Sequence, residues 1–293
     1  MSIGDLSRRG IFSIGGAIAA CSLLPVRWMP ARAENRWESL PEFAPMPAPT
    51  TSGYVDVNDI TMWYATFGDG SPLILLHGGF GNSEHWGGQI SEFAKHFKVI
   101  ALDSRGHGRS TRSAQPYSYE LMASDVIALM DKLQIQKASV VGVSDGGIIG
   151  LAMAIHNPER LDRLVVFGAN YDPTGMKDDW SKQPTVVSMR SRVRAEYKQL
   201  SKTPDDYDAF RDAMLKMWDT EPNFSADQLR GIRVRTAIVD GEYDEFVKRP
   251  HTEQLASLIP GSELIILPNV SHFAIYQDAP QFNAAVLGFL TKP

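Results

Sequence analysis

The segment Gly142-Val143-Ser144-Asp145-Gly146-Gly147 has the residue types and spacing of a G-x-S-x-G turn. Its chemistry is nucleophilic. A serine hydroxyl attacks a carbonyl only when its backbone thrusts it clear of its neighbours and a base takes its proton. A sharp strand-to-helix turn does the first of these, holding the serine in a strained conformation with the hydroxyl above the sheet. Flanking glycines let other backbone crowd the turn without a Cβ clash. The N-terminus of the helix behind it presents free N–H groups to a developing anion. A lone pentapeptide of this type arises often by chance, so its context decides.

The context requires an apolar strand ending at the turn and a helix starting there. Residues 138–143 are a continuous apolar run, and residues 146–155 read as a helix. Short apolar runs at 72–76, 99–102, 164–167, 236–239 and 264–267 have the character of buried parallel strands. Residues 54–57 and 60–67 are strand-like around the tight-turn pair Asn58-Asp59. Residues 119–133 place Leu121, Val126, Leu129 and Leu133 on one helix face, and further helices are expected at 252–258 and 279–290. This alternation predicts an α/β fold with a mostly parallel eight-stranded sheet and helices on both faces.

One interval breaks the rhythm. Residues 171–230 are too long for a plain connection, and 188–200 and 207–218 look helical, separated by Pro204. They are expected to form an inserted helical cap, with 53–170 and 231–293 as the core. Of its large apolar groups (Met176, Trp180, Met189, Tyr197, Tyr207, Met214, Met217 and Trp218), most are expected to pack the cap and a minority to line a pocket.

His77-Gly78-Gly79-Phe80 directly follows the 73–76 run, and Asp103-Ser104-Arg105-Gly106-His107-Gly108-Arg109-Ser110 follows the 99–102 run. With these motifs beside the serine turn, the chain resembles the α/β-hydrolase superfamily from about Gly53 onward. The resemblance implies an oxyanion hole made by the backbone N–H groups of Phe80 and Asp145. His77 is read as a support of its loop, and the 103–110 segment as a turn near the floor of the site.

The resemblance also implies that an acid and then a histidine follow the serine in chain order. In Val239-Asp240-Gly241-Glu242-Tyr243-Asp244, the Gly241-x-x-Asp244 spacing fits the family's acid position, with Asp240 and Asp172 as rivals. His272 in Asn269-Val270-Ser271-His272-Phe273 then becomes the base; the histidines at 85, 96, 107, 156 and 251 lack that position. The catalytic set expected is Ser144, Asp244 and His272.

Ser144-Asp145-Gly146-Gly147 and Gly168-Ala169-Asn170 resemble the valacyclovir-hydrolase, or biphenyl-hydrolase-like, branch. That likeness makes Asp145 a candidate substrate-binding residue for an ammonium group; the plainer reading is that it orients the turn, neutralised by hydrogen bonds or by Arg105. The expected activity is hydrolysis of a small-molecule carboxylic ester or lactone through an acyl-enzyme. Carbon–carbon bond hydrolysis, cofactor-free perhydrolysis, lyase chemistry and non-hydrolytic ligand binding on the same fold stand beside it. Serine at position 144 argues against dehalogenase and epoxide-hydrolase chemistry. No cofactor and no metal is expected, since the chain has neither an HExxH motif nor a paired-carboxylate cluster.

Composition narrows the classes further. The 293 residues are 43% hydrophobic and 22% charged, which is ordinary globular usage and not that of a disordered chain. A net charge of -5 with no basic stripe excludes a nucleic-acid partner. The single cysteine, Cys21, excludes a disulfide framework. At the N-terminus, Ser7-Arg8-Arg9 precedes an uncharged stretch of 17 residues from Gly10 to Val26, followed by Ala31-Arg32-Ala33. A spanning helix needs roughly 20 apolar residues. The order of charged start, short apolar middle and A-x-A end is that of a signal peptide over 1–33, with paired arginines of twin-arginine type. Sec export, and lipid attachment at Cys21, are the alternatives. After cleavage no stable membrane insertion is expected. The product would carry 25 basic and 33 acidic residues, a net of -8, and begin with a proline-rich leader over 34–52.

Overall fold

The structure is a computed structural model and describes residues 35–292. Arg8, Arg9, Cys21 and the 31–33 site lie outside the described residues. Along the chain run β1 (Thr51–Val57), β2 (Ile60–Phe67), β3 (Ser71–Leu76), α1 (Gly87–Phe93), β4 (Phe97–Leu102) and α2 (Tyr119–Lys132). Next come β5 (Ala138–Val143), α3 (Asp145–His156), β6 (Leu161–Phe167), α4 (Pro184–Leu200), α5 (Tyr207–Trp218) and α6 (Ala226–Gly231). The chain closes with β7 (Arg235–Gly241), α7 (Arg249–Leu258), β8 (Glu263–Leu267), α8 (Ala274–Gln277) and α9 (Ala279–Leu290).

The eight strands form one sheet in the order β1-β2-β4-β3-β5-β6-β7-β8. β1 and β2 are antiparallel to their neighbours; every pairing from β4 to β8 is parallel. Period-two alternation feeds two apolar layers. Ile74 and Leu76 of β3 point to the layer made with α2, α3 and α7, whereas Leu73 and Leu75 point to the layer made with α1, α8 and α9. Both faces are therefore covered, as a parallel sheet requires.

The register carries the consequence for function. Leu76 pairs with Gly142, Val143 with Phe167, and Gly241 with Leu267. The loops after β3, β5, β6, β7 and β8 therefore leave the same edge of the sheet together. In open α/β sheets that carboxyl edge is where ligands bind.

The 171–230 interval holds α4 and α5, which meet over this edge, and α6, which packs on α3 and α7 beneath it. Of the large cap residues, Trp180, Met189, Tyr207 and Trp218 face the main cavity, while Tyr197, Met214 and Met217 are buried in packing.

The leader departs from expectation. β1 begins at Thr51, and residues 35–50 belong to the same compact unit as the sheet. Phe43 stacks on Tyr276 (4.1 Å) and leans on His85 (4.7 Å), and Trp37 stacks on Tyr243 (4.7 Å). Arg192 of α4 donates to the carbonyls of Leu40 (2.8 Å) and Pro41 (2.5 Å). An extended, proline-rich segment has no hydrophobic period to announce such contacts, yet its free carbonyls and aromatics make them. No helix among the described residues is long and apolar enough to cross a membrane.

Candidate active site

Ser144 stands between β5 and α3 with φ 54° and ψ -121°. A positive φ at a non-glycine residue is strained and persists only where the surroundings enforce it. Here the Ser144 N–H is tied to the Phe167 carbonyl (2.7 Å). The helix presses against the neighbouring strand: a Cβ on Gly146 would fall 2.1 Å from the Leu76 carbonyl oxygen. Ser144 is half-buried, while Val143 and Asp145 on either side are buried.

His272 lies in the turn after β8, and its Nδ1 is 2.6 Å from Asp244 Oδ2. With Nδ1–H donating to the carboxylate, Nε2 is left with the free lone pair of a base. The other oxygen, Asp244 Oδ1, accepts the N–H groups of Phe246 (2.6 Å) and Val247 (2.7 Å), which fixes the carboxylate in plane. Burial pushes the Asp244 carboxyl up to about 7 against those bonds, and burial holds His272 below its ordinary value. A neutral imidazole at neutral pH is what a general base requires.

The rival acids take other places. Asp240 accepts from Gly241 N–H (2.8 Å) and meets Thr252 Oγ1 (2.7 Å); burial and the adjacent Asp244 raise its carboxyl well above the usual range. Asp172 caps a short turn through Thr174 N–H (2.8 Å). Two contributors show their roles only in the structure. Glu245 accepts His272 N–H (3.0 Å) and Thr185 Oγ1–H of α4 (2.6 Å), linking His272 to the cap. Gly168, at φ 59°, lies under the histidine–aspartate pair, where a Cβ would come 2.9 Å from His272 Nδ1. The signal was present in Gly168-Ala169-Asn170, but its purpose shows only when β6 ends beside β7.

Phe80 also has a positive φ (61°), and its N–H and that of Asp145 have no acceptor among the described residues. His77 donates through Nδ1 to the Gly78 carbonyl (2.8 Å) and accepts Ser104 N–H at Nε2 (3.0 Å). Burial lowers its pKa to about 4, so it holds the loop as a neutral ring. Asp103 accepts the N–H groups of Ser83 and Arg109 (both 2.8 Å) and so braces that loop from below.

Asp145 is buried. Its Oδ1 accepts Tyr119 O–H (2.8 Å) and its Oδ2 accepts Trp218 Nε1–H (3.1 Å); burial raises its pKa to about 6. Arg105 is not its counter-ion: that guanidinium binds Asp125 (2.7 Å) and Asp59 (3.0 Å).

Ser144 and His272 line a cavity of about 530 Å³ with aromatic walls from Phe80, Trp180, Trp218 and Phe246. Both also border a cavity of about 40 Å³ that holds Asp145, Asn170 and Glu221. A strained serine, an aspartate-bound histidine and two unpaired N–H groups at the carboxyl edge of this sheet define an α/β hydrolase.

The comparisons agree. A family model described as alpha/beta hydrolase fold matches residues 71–199. Mouse serine hydrolase BPHL is 31% identical over 258 residues, covering 82% of this chain and 86% of that protein. 3-Oxoadipate enol-lactonase 2 of Acinetobacter baylyi is 41% identical over 110 residues, 37% of this chain and 41% of that enzyme. The structure of a meta-cleavage product hydrolase from Pseudomonas fluorescens IP01 superposes with a TM-score of 0.71 at 22% identity, covering 81% of this chain and 97% of that one. The chain belongs to the alpha/beta-hydrolase family.

Proposed function

We propose that the protein hydrolyses a carboxylic ester or lactone of a small molecule through an acyl-enzyme on Ser144. The observation that carries this reading is the 2.6 Å contact between His272 Nδ1 and Asp244, with His272 and the strained Ser144 lining one cavity. His272 Nε2 takes the Ser144 proton as Oγ attacks the carbonyl carbon. The N–H groups of Phe80 and Asp145 receive the oxyanion, a contribution worth about 10²–10³ in turnover per donor. His272 then protonates the departing alkoxide, and water repeats the sequence in reverse to free the acid.

Asp145 sets a local preference in this account. Its carboxylate follows the nucleophile directly, so it opposes acyl groups with an anion close to the scissile carbonyl and accommodates neutral or ammonium-bearing ones. At an effective dielectric of about 20, unit charges roughly 5 Å apart interact by about 3 kcal/mol before screening. Matched α-amino, neutral and succinyl esters, compared in wild type and Asp145→Asn, test this. An unchanged ranking makes Asp145 a structural residue only.

A panel of aryl esters, lactones and vinylogous 1,5-diketones, run beside fluorophosphonate labelling, tests the reaction class. Turnover confined to the diketones moves the assignment to carbon–carbon hydrolysis. Residues 1–33 are proposed to direct export of the enzyme and to be removed before Glu34. N-terminal sequencing of exported material checks this, and a lipid-linked Cys21 contradicts it.

A further inference from the structure

The main cavity is lined by three arginines and by no carboxylate, in a chain whose net charge is -5. The small cavity, which shares Ser144 and His272 with it, is the reverse, with Asp145 and Glu221 and no lysine or arginine. Arg190 and Arg194 lie four residues apart on α4 and so share a face; Arg211 comes from α5.

Their charges are unequally compensated. Asp208 accepts both terminal nitrogens of Arg194 (2.9 and 3.1 Å) and one of Arg211 (2.7 Å). Asp212 accepts from Arg211 as well (2.7 Å). Arg190 has no carboxylate partner among the described residues. Its guanidinium instead lies over the ring of Trp180, 5.4 Å from the centroid, on the cavity wall. A guanidinium held over a ring face in this way keeps its N–H donors for a ligand. All three arginines pull against the burial that raises the Tyr207 phenol, so their field reaches the cavity lining.

We propose that Arg190 binds a carboxylate at the end of the substrate remote from the scissile carbonyl. The substrate class is then a monoanionic ester or lactone with an apolar or aromatic middle that lies along Trp180 and Trp218. This assignment rests on the serine-hydrolase reading above and adds polarity to it. An anion close to the carbonyl meets Asp145, and an anion at the far end meets Arg190, so preference depends on distance.

The test compares kcat/KM for phenyl monoesters of dicarboxylic acids, from succinate to sebacate, with phenyl esters of chain-matched fatty acids. A second arm compares acetyl esters of ω-hydroxy acids and of matched alkanols, in case the large cavity takes the alcohol side. In one arm the anionic-to-neutral ratio should climb with chain length to about three- to five-fold, the size of an exposed ion pair. Arg190→Gln should return that ratio to about one, Arg190→Lys should keep part of it, and salt should shrink it. The ratio is insensitive to the folded fraction of a variant. A ratio flat with length in both arms, or a gain that survives Arg190→Gln, overturns the proposal. No turnover of neutral esters, with no phosphonate on Ser144, would instead sink the serine-hydrolase reading beneath it.

Discussion

Trp218 Nε1 donates to Asp145 Oδ2 at 3.1 Å, so the last residue of cap helix α5 is tied to the residue that follows Ser144. Tyr119 O–H holds the other oxygen at 2.8 Å. Both donors are neutral and the site is buried, so the Asp145 carboxyl is raised from 3.8 to about 6. The cap is thereby fastened beside Ser144 by a charge that folding must dehydrate.

Asp145→Asn should therefore stabilise the protein at high pH. With the folded pKa above the unfolded one, the native state binds the extra proton between 3.8 and about 6. Stability falls as pH rises through that window, and the penalty is complete above it. A gap of about two units corresponds to up to about 3 kcal/mol. Denaturant titrations should show the variant ahead of wild type at pH 8 and level with it near pH 4. An equal difference at both pH values contradicts the burial account.

The acid limb of kcat/KM should report proton uptake by the His272–Asp244 pair as one unit, because burial lowers the imidazole and raises the carboxyl that it meets at 2.6 Å. Asp145, Glu245 and Asp240 each favour the protonated ring. Removing one of these charges by Asp145→Asn should move the limb down in pH. An upward shift contradicts the assignment of that pair as the titrating unit.

The docked leader should act on substrate binding. Phe43 rests on His85 and Tyr276, which line the main cavity, and His85 Nε2 reaches Glu196 of α4 (2.7 Å). Phe43→Ala removes aromatic contacts worth about 0.5–1.5 kcal/mol each. Steady-state kinetics should show KM raised several-fold with kcat within about two-fold. Unchanged KM in both Phe43→Ala and Arg192→Ala means the leader packs without shaping the pocket.

How much of this was legible depended on burial. The runs that became β3, β4 and β5 are continuous and apolar because both of their faces are covered, and they stood out in the sequence. β6 begins at Leu161 and not at 164, because Asp162 and Arg163 occupy the exposed end of the strand. α1 has no counterpart among the helices expected from the sequence, and it opens on Gly87 and Gly88, which weaken a helical pattern. At Gly87 a Cβ would strike the Ala44 carbonyl at 1.8 Å, a long-range reason that no local pattern contains. Within the site, Ser144 carries its own motif. Asp240 and Asp244 sit in one acidic run and are told apart only by which of them reaches His272. The contacts of Asp145 with Tyr119 and Trp218 join residues 26 and 73 positions away, beyond any periodic signal.

Ser144→Ala, His272→Ala and Asp244→Asn should each lower kcat by at least about 10³-fold with near-native circular dichroism. Because the three act as one unit, the double variant Ser144→Ala/His272→Ala should be hardly slower than either single one. Losses that multiply in the double variant contradict a shared mechanism.

The most direct measurement is intact-mass spectrometry of enzyme quenched in acid during turnover of a slowly hydrolysed aryl ester. A covalent acyl intermediate on Ser144 predicts a population heavier by the acyl group, located by peptide mapping to the Gly142–Gly147 segment and absent from Ser144→Ala. Steady turnover with unmodified enzyme, or an adduct and full activity that persist in Ser144→Ala, would contradict the account.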